Sequence, residues 1–353
     1  MCAYTPRKNY KIPAICAKLH IEALLRNEKA RRMDAYPFSL AEIQRNNKML
    51  KYFIKRLLQM IPLLLAASIV VFLFIRMIPG DPARMMAGVD ATLEEVEGLR
   101  EMLGFNYPIH IQYLRWLGNF VTGDFGTSLR TGRPVIEMMQ PRFEPTLILA
   151  FTSMIWSLVI GLIIGMFSAI FRGKWPDYMG MLVAVSGISI PSFWLGLMLI
   201  NYIAIGSPIF SVAGFNNIAD LVLPSITLGA GIMAMLARIS RSEMVDVMGH
   251  DYIRMARAKG LNEFEVVTRH GLRNSMVQII TIIGLQFGFL LGGSVIVERV
   301  FGIAGLGGLL VDSIFFRDYT VIQSQLMIFA TLFIFVNLAV DVAYGFLNPK
   351  IRL

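Results

Sequence analysis

Six apolar runs divide this chain, each long enough to cross about 30 Å of hydrocarbon, which takes roughly 20 helical residues. They fall at 53–78, 146–171, 180–205, 221–240, 276–298 and 325–347. Lipid offers no partner to a free backbone N–H or C=O, so each run is expected to be an α-helix. Pro62, Pro191 and Pro224 sit within or near the ends of these runs, where a kink is tolerable if neighbouring groups resatisfy the carbonyls. The pattern predicts an all-α polytopic membrane protein with six transmembrane helices.

Two polar stretches between the runs carry their own periodicity. In the first, 79–145, Thr92 and Glu95 make a capping box, and Leu93, Val96, Leu99 and Leu103 form an apolar stripe. Gly104 is placed to end that helix, and a second amphipathic helix is expected after Pro108. In the other stretch, 241–275, Met244, Met248, Tyr252, Met255 and Ala256 recur at helical spacing, with Glu243, Asp246, Arg254 and Arg257 largely elsewhere on the wheel. This helix should stop near Gly260, which takes the left-handed conformation without a Cβ clash, with Lys259 favourable against the C-terminal dipole. A second short helix should start at once. Asn262 and Glu265 are spaced for a capping box, with Leu261 and Val266 as its hydrophobic staple.

Composition agrees with a membrane protein. Hydrophobic residues make up 56% and charged residues 16% of the 353, and mean hydropathy is positive, outside the range of ordinary soluble domains. Of the formal charge of +9, residues 1–48 supply six, from ten Lys/Arg and four Asp/Glu. That segment holds both cysteines, Cys2 and Cys16, and lacks the apolar core and cleavage site of a signal peptide. It is expected to be either a misassigned translation start or a dispensable cytosolic tail. From residue 49 onward there is no cysteine, which excludes disulfides and thiolate metal sites there.

Charge placement gives an orientation. Lys51, Lys55 and Arg56 precede the first run, Arg172 and Lys174 lie between the second and third, and Lys350 and Arg352 close the chain. The 241–275 stretch, with Arg238 just before it, adds seven more basic residues, whereas 206–220 has none. Both termini and the 241–275 loop are therefore expected on the cytoplasmic side. Gly284, Gly288 and Gly292 recur at four-residue steps in the fifth run and predict a face for close helix packing, as do Gly161 and Gly165 in the second. Asn337 and Asp341 share a face of the last run, where Asp341 is expected to make an interfacial ion pair.

The stretch DYIRMARAKGLNEFEVVTRHGLRN, 251–274, closely resembles the cytoplasmic coupling loop of ABC-importer permeases in the dipeptide, oligopeptide, nickel and glutathione branch. Ala256, Arg257, Ala258, Lys259, Gly260, His270, Leu272, Arg273 and Asn274 match that branch. Against the broader motif, Arg254 and Met255 replace Glu-Ala and Arg273 stands where proline is usual. PGDPARMMAG at 79–88, GDFGTS at 123–128 and VERVFGIAGLGGLLVDSIFFRDYTVIQ also resemble this branch, while GLQFGFLLGGS and LLVDS look closest to glutathione and dipeptide permeases. Ala304 and Thr320 replace common prolines, which implies a less rigid loop there. The resemblance covers about 49–353.

The resemblance implies one permease subunit of an importer of peptides or peptide-like solutes in the bacterial inner membrane. It implies a homologous second permease, two cytosolic ATP-binding subunits, a periplasmic substrate-binding protein and surrounding lipid as partners, and no nucleic acid. Asp251, Tyr252, Arg254, Ala256, Arg257, Ala258, Lys259 and Gly260 would couple to the ATPases, supported by Asn262, Glu265, His270, Arg273 and Asn274. The 79–145 segment would be periplasmic, either a small packed cap or also the seat of the binding protein.

The chain carries no G-x-x-x-x-G-K-[ST], so ATP and Mg would be bound by partner subunits rather than here. His20, His110, His250 and His270 show no metal-ligand spacing, and His270 is expected to fix loop packing. An ion-coupled carrier would need ionisable groups at mid-membrane depth, and the six runs hold almost none. A permease of the same branch carrying nickel or another small solute remains the other alternative.

Overall fold

The computed structural model describes residues 40–77, 81–88, 90–215 and 217–347, so the basic segment before Leu40, with Cys2 and Cys16, and the terminal Lys350 and Arg352 lie outside the described residues. The described residues from Arg56 onward form one compact unit. All extended regular structure among the described residues is helical, with one isolated bridge between Thr127 and Pro134.

The helices are α1 (Leu40–Met77), α2 (Pro82–Ala87), α3 (Leu93–Leu103), α4 (Ile109–Val121), α5 (Val135–Ile170), α6 (Trp175–Ser189) and α7 (Ser192–Leu199). They continue with α8 (Val222–Met248), α9 (Asp251–Ala258), α10 (Arg273–Val300), α11 (Leu306–Phe315) and α12 (Tyr319–Leu347). Among the described residues five helices are long and apolar enough to cross a membrane: Phe53–Met77, Val135–Ile170, Ile218–Met248, Gln278–Val300 and Tyr319–Val342.

The third expected span is not one rod. Trp175–Ser189 and Ser192–Ala204 meet at 102°, so a sixth span exists only as a bent pair. Pro191 explains the break, because its ring drives the preceding residue out of the helical region, and Ile190 sits at φ −84, ψ 120. The second, fourth and sixth spans also run beyond the apolar stretches. Residues 135–145 belong to α5 rather than to the 79–145 segment, residues 241–248 extend α8, and α12 begins at Tyr319.

The core is built around α8. In its most apolar window 67% of residues are buried, against 22% for the first and last spans, which makes it the central helix. Leu228, Ile232 and Leu236 meet Leu149, Ala150 and Met154 of α5 and Ile279, Phe287 and Leu290 of α10. The α5–α8 contact is close because it uses small residues. A Cβ on Gly161 would lie 2.9 Å from the Met233 carbonyl oxygen, and one on Gly165 would lie 2.7 Å from that of Ala237. Ser157 Oγ donates to the Gly229 carbonyl at 2.8 Å, and Trp156 Nε1 to that of Ser225 at 2.6 Å.

The glycine face expected on α10 is used differently. Gly284 faces the side chain of Val340 and Gly288 the ring of Phe333, both on α12, so these glycines receive side chains rather than a neighbouring backbone. A Cβ on Gly292 would meet nothing within 4 Å, so this residue packs against no other part of the described chain.

At the end of the bundle away from α9, Thr92 and Glu95 form the reciprocal capping box, and Gly104 closes α3 at φ 72. Rings run from α1 into α4, with Phe72 and Tyr113 centroids 5.3 Å apart and Trp116 and Phe120 6.0 Å apart. Between α10 and α12 the chain folds back through α11, whose first turn is buried while Ile314 and Phe315 at its end are exposed. Its first turn is held by Thr146 Oγ1, which accepts from Leu306 N at 2.8 Å, and by Glu298 Oε2, which accepts from Gly308 N at 2.9 Å. Arg56 and Asp341 pair at 3.0 Å, the ion pair expected of Asp341.

Gly165→Ala should destabilise the purified chain by about 1–3 kcal/mol, since the added methyl overpacks a backbone contact. Gly292→Ala should leave its thermal unfolding midpoint unchanged or slightly raised. Thermal unfolding of both variants in one detergent checks the contrast.

Candidate coupling surface

The candidate surface begins where α8 ends. Gly249 and His250 break the helix, with His250 at φ −74, ψ 151, and α9 restarts at Asp251. This break resets the helical wheel, so Met244, Met248, Tyr252, Met255 and Ala256 do not share one face. Ile253 is fully buried and Ala256 6% exposed, packed with Val266, Met248 and Leu261. Met255, expected on the packing face, instead points outward at 60% exposure. Ala256 lies inward, so it supports the helix and offers no contact to a partner.

Below α9 the chain turns sharply. Gly260 N donates to the Arg257 carbonyl at 2.9 Å, and Gly260 itself sits at φ 81, in the left-handed region that glycine enters without a Cβ penalty. Asn262 Oδ1 accepts from Glu265 N at 2.8 Å. Glu265 returns no bond among the described residues, so the expected capping box is only half made. Leu261 and Val266 lie in one apolar cluster under α9.

The turn Glu263–Glu265 then passes through a π-helical segment, Val266–Leu272, straight into α10. The second short helix expected from the sequence is thus the beginning of a span. Buried Met244 of α8 anchors this junction, accepting from Ser275 Oγ at 3.3 Å, and a Cβ on Gly271 would lie 3.0 Å from Met244 Cε.

Polar bonds brace the corner. Arg257 donates twice to Glu263, at 2.6 and 3.1 Å, and the pairing holds the Glu263 carboxyl below its ordinary pKa while raising that of Arg257. Asn274 Nδ2 donates to Tyr252 Oη at 3.0 Å and to the His270 carbonyl at 2.8 Å, which ties α9 to the start of α10. His270 therefore takes part in packing through its backbone. Asp251 and Arg254 form a loose, exposed pair at 3.7 Å, and Ala258, Lys259 and Arg273 are exposed.

Phe264 is 77% exposed, at the tip of the corner, yet it falls outside the residues expected to make contact. With Met255 and Tyr252 it adds an apolar tip to a rim of Asp251, Arg254, Arg257 and Lys259. A lone aromatic between acidic neighbours carries no sequence signal by itself. Its meaning comes only from the turn that pushes it out.

Two further residues escaped sequence reasoning. Asp177, almost fully buried near the start of α6, receives two bonds from Arg241 of α8, at 2.6 and 2.7 Å, and one from Gly173 N at 2.9 Å. This clasp fixes the end of α8 eight residues before the break at Gly249. Glu298, fully buried at the far end of α10, accepts from Thr146 Oγ1 at 2.7 Å as well as from Gly308 N. Among the described residues, no group of three His, Cys, Asp or Glu is placed to hold a metal ion.

The chain matches the family of binding-protein-dependent transport system inner membrane components over residues 161–353 and the N-terminal component of the same systems over 49–150. It is 48% identical over 304 residues to the glutathione transport system permease protein GsiC of Escherichia coli K12, covering 86% of this chain and 99% of that one. The GsiC proteins of Salmonella paratyphi A and Salmonella typhimurium LT2 match at the same identity and coverage. Among solved structures, an inward-facing conformation of the MetNI methionine ABC transporter aligns with 60% of this chain and 97% of that chain, at TM-score 0.52 and 20% identity, a likeness of fold.

Asp177→Asn should lower stability by about 3 kcal/mol, because it strands a half-buried guanidinium, and pairing it with Arg241→Met should recover much of that loss in chemical unfolding. The Glu263 carboxylate, with its pKa depressed, braces the corner fully above its ordinary value of 4.5 and releases it as pH falls through the lower folded value. A nitroxide at Ala258 should therefore be more mobile in Glu263→Gln than in wild type at neutral pH, and the difference should vanish in acid.

Proposed function

The chain belongs to the family of binding-protein-dependent transport system inner membrane components, and we propose that it is one permease half of an ATP-driven importer of peptides or peptide-like solutes. Its likeness to glutathione permeases over nearly all of their length supports the solute class. Its partners would be a homologous permease, two nucleotide-hydrolysing subunits on the side of α9, and a solute-binding protein at the opposite end. Basic residues flanking the spans favour α9 and both chain ends on the cytoplasmic side of the bacterial inner membrane. ATP and Mg would be held by the partner subunits.

The observation that carries this reading is the α9 corner, an apolar tip on a braced and charged base. Tyr252, Arg254, Met255, Arg257, Lys259 and Phe264 offer the contact. Ala256, Asn262, Glu265, His270 and Asn274 act from behind, and Gly260 sets the bend. Closure of two ATPases against such corners would bias the bundle between inward-open and outward-open states. A near-complete swing in populations takes about 5.5 kcal/mol of differential binding. The corner transmits that bias because its buried residues make it continuous with α8 and α10.

Phe264→Asp should leave membrane insertion and thermal stability intact yet weaken association with the ATPase subunits about tenfold or more. Gly260→Val should preserve insertion and uncouple ATP hydrolysis from uptake, through strain at positive φ. Uptake by proteoliposomes holding this chain with no nucleotide-hydrolysing partner would overturn the proposal.

A further inference from the structure

The helix α4 is tied to α1 well inside the end of that span. The Tyr113 and Ser68 hydroxyls lie 2.8 Å apart, and Arg76 donates to Gln112 Oε1. The Tyr113 and Trp116 rings have centroids 5.3 and 5.7 Å from that of Phe72. Ser68 is fully buried and Phe72 is 2% exposed, so α4 helps cover this face of α1 as a neighbouring span would. At 1.5 Å per residue, Ser68 is roughly 13 Å along the axis from the last residue of α1, Met77. A hydrocarbon layer about 30 Å thick, centred on Phe53–Met77, ends near Arg76 and encloses the stretch from Ser68 to Phe74.

Around α4 the side chains sort into three strips at helical spacing. Tyr113, Trp116 and Phe120 form a seam of rings, of which the first two meet α1. On one flank Gln112, Arg115 and Asn119 line the open cavity between α4 and α3, where Arg115 stacks 4.0 Å over the Tyr107 ring. On the other flank stand Leu114, Leu117 and Val121. They belong to no buried cluster among the described residues, and Leu114 and Val121 are 63% and 76% exposed. At the same height α1 exposes Ile69, Val70, Leu73 and Phe74, in a span with only 22% of its most apolar window buried.

We propose that α4 lies in the membrane leaflet at the end away from α9, with Leu114, Leu117 and Val121 against acyl chains and Gln112, Arg115 and Asn119 toward water. Depth decides for lipid over a water-borne partner. A soluble protein reaches only what stands in water, whereas α4 is bonded to α1 alongside residues that the hydrocarbon layer encloses. The apolar flank continues the lipid-facing surface of α1 at that height. Tyr107, Trp116, Arg76 and Arg115 then stand near the headgroups, where aromatic and basic side chains anchor a helix. That this leaflet is the outer one rests on the orientation proposed above; the contact with lipid does not.

Nitroxide labels test this directly. In a Cys2→Ser, Cys16→Ser background, Leu114→Cys, Val121→Cys, Arg115→Cys and Asn119→Cys are labelled one at a time. The labelled full chain is placed in phosphatidylcholine nanodiscs, alone and assembled with its partner subunits, and collision with oxygen is compared with collision with a neutral nickel chelate. The oxygen-to-nickel ratio at Leu114 and Val121 should exceed that at Arg115 and Asn119 several-fold in both preparations. Equal ratios on the two flanks would overturn the proposal, since both flanks would then share one solvent. Loss of both collisions at Leu114 and Val121, in either preparation, would overturn it by giving the flank to protein. The ratios are read without ATP or solute, so a failure of coupling to an ATPase would leave them unchanged.

Discussion

Everything else in this bundle rests on how closely α5 approaches α8. Between two helices in lipid there is no hydrophobic drive to associate, since acyl chains are as apolar as leucine, so packing and hydrogen bonds must hold them. Gly161 and Gly165 let the backbones come near enough that a single methyl would strike a carbonyl. The same closeness brings Ser157 and Trp156 within bonding distance of α8 carbonyls, and Thr152 Oγ1 within 2.7 Å of Ser225 Oγ. Gly187 of α6 repeats the arrangement on another side, with its Cβ position 3.0 Å from the Ala230 carbonyl oxygen. With small residues on two flanks, α8 becomes an axis with little freedom to tilt against α5 or α6.

That axis is then tied at the end that carries the corner. The Asp177–Arg241 clasp joins α8 to the start of α6, and Met244 seats it against the junction of the π-helical segment and α10. Opposite, the fold-back through α11 is held by carboxylates of another kind. Glu298 and Asp318 are both buried and both accept bonds from neutral donors, Glu298 from Thr146 and Gly308, Asp318 from Ser128 and Leu129. A carboxylate can organise several N–H and O–H groups at once, which suits a tight turn where Arg317 is held at φ 52. Ala304 and Thr320 thus lie in a segment pinned by side chains.

The spans were legible because a membrane demands long apolar helices, and that demand is written in composition. The 102° break at Pro191 was not, since a proline in an apolar run marks a possible kink and only neighbours decide its angle. Gly260 could be read directly, because a left-handed residue after a helix has few alternatives to glycine. The faces of α9 could not. Gly249 and His250 interrupt the helix, and a wheel drawn across an interruption assigns Met255 inward and leaves Phe264 unremarked. Asp177 and Arg241, 64 residues apart, meet only because α6 and α8 pack. Nothing in the spacing of either residue announces the other.

The contrast between the two ends bears on how motion would cross the bundle. A segment that must pass force inward needs its own residues fixed and its contact residues free, and α9 divides along that line: Ile253, Ala256 and Val266 are buried, while Met255 and Phe264 stand in the open. Burying those two against a partner would remove exposed apolar surface, and would do so without loosening any bond that braces the corner. The π-helical segment leaves no loop between corner and span, so Val266–Leu272 and α10 run on as one helix. Through Glu298, the far end of α10 is bonded to α5 and α11. The corner and the fold-back are thus joined by one continuous helix, α10, with Glu298 as the tie at its far end.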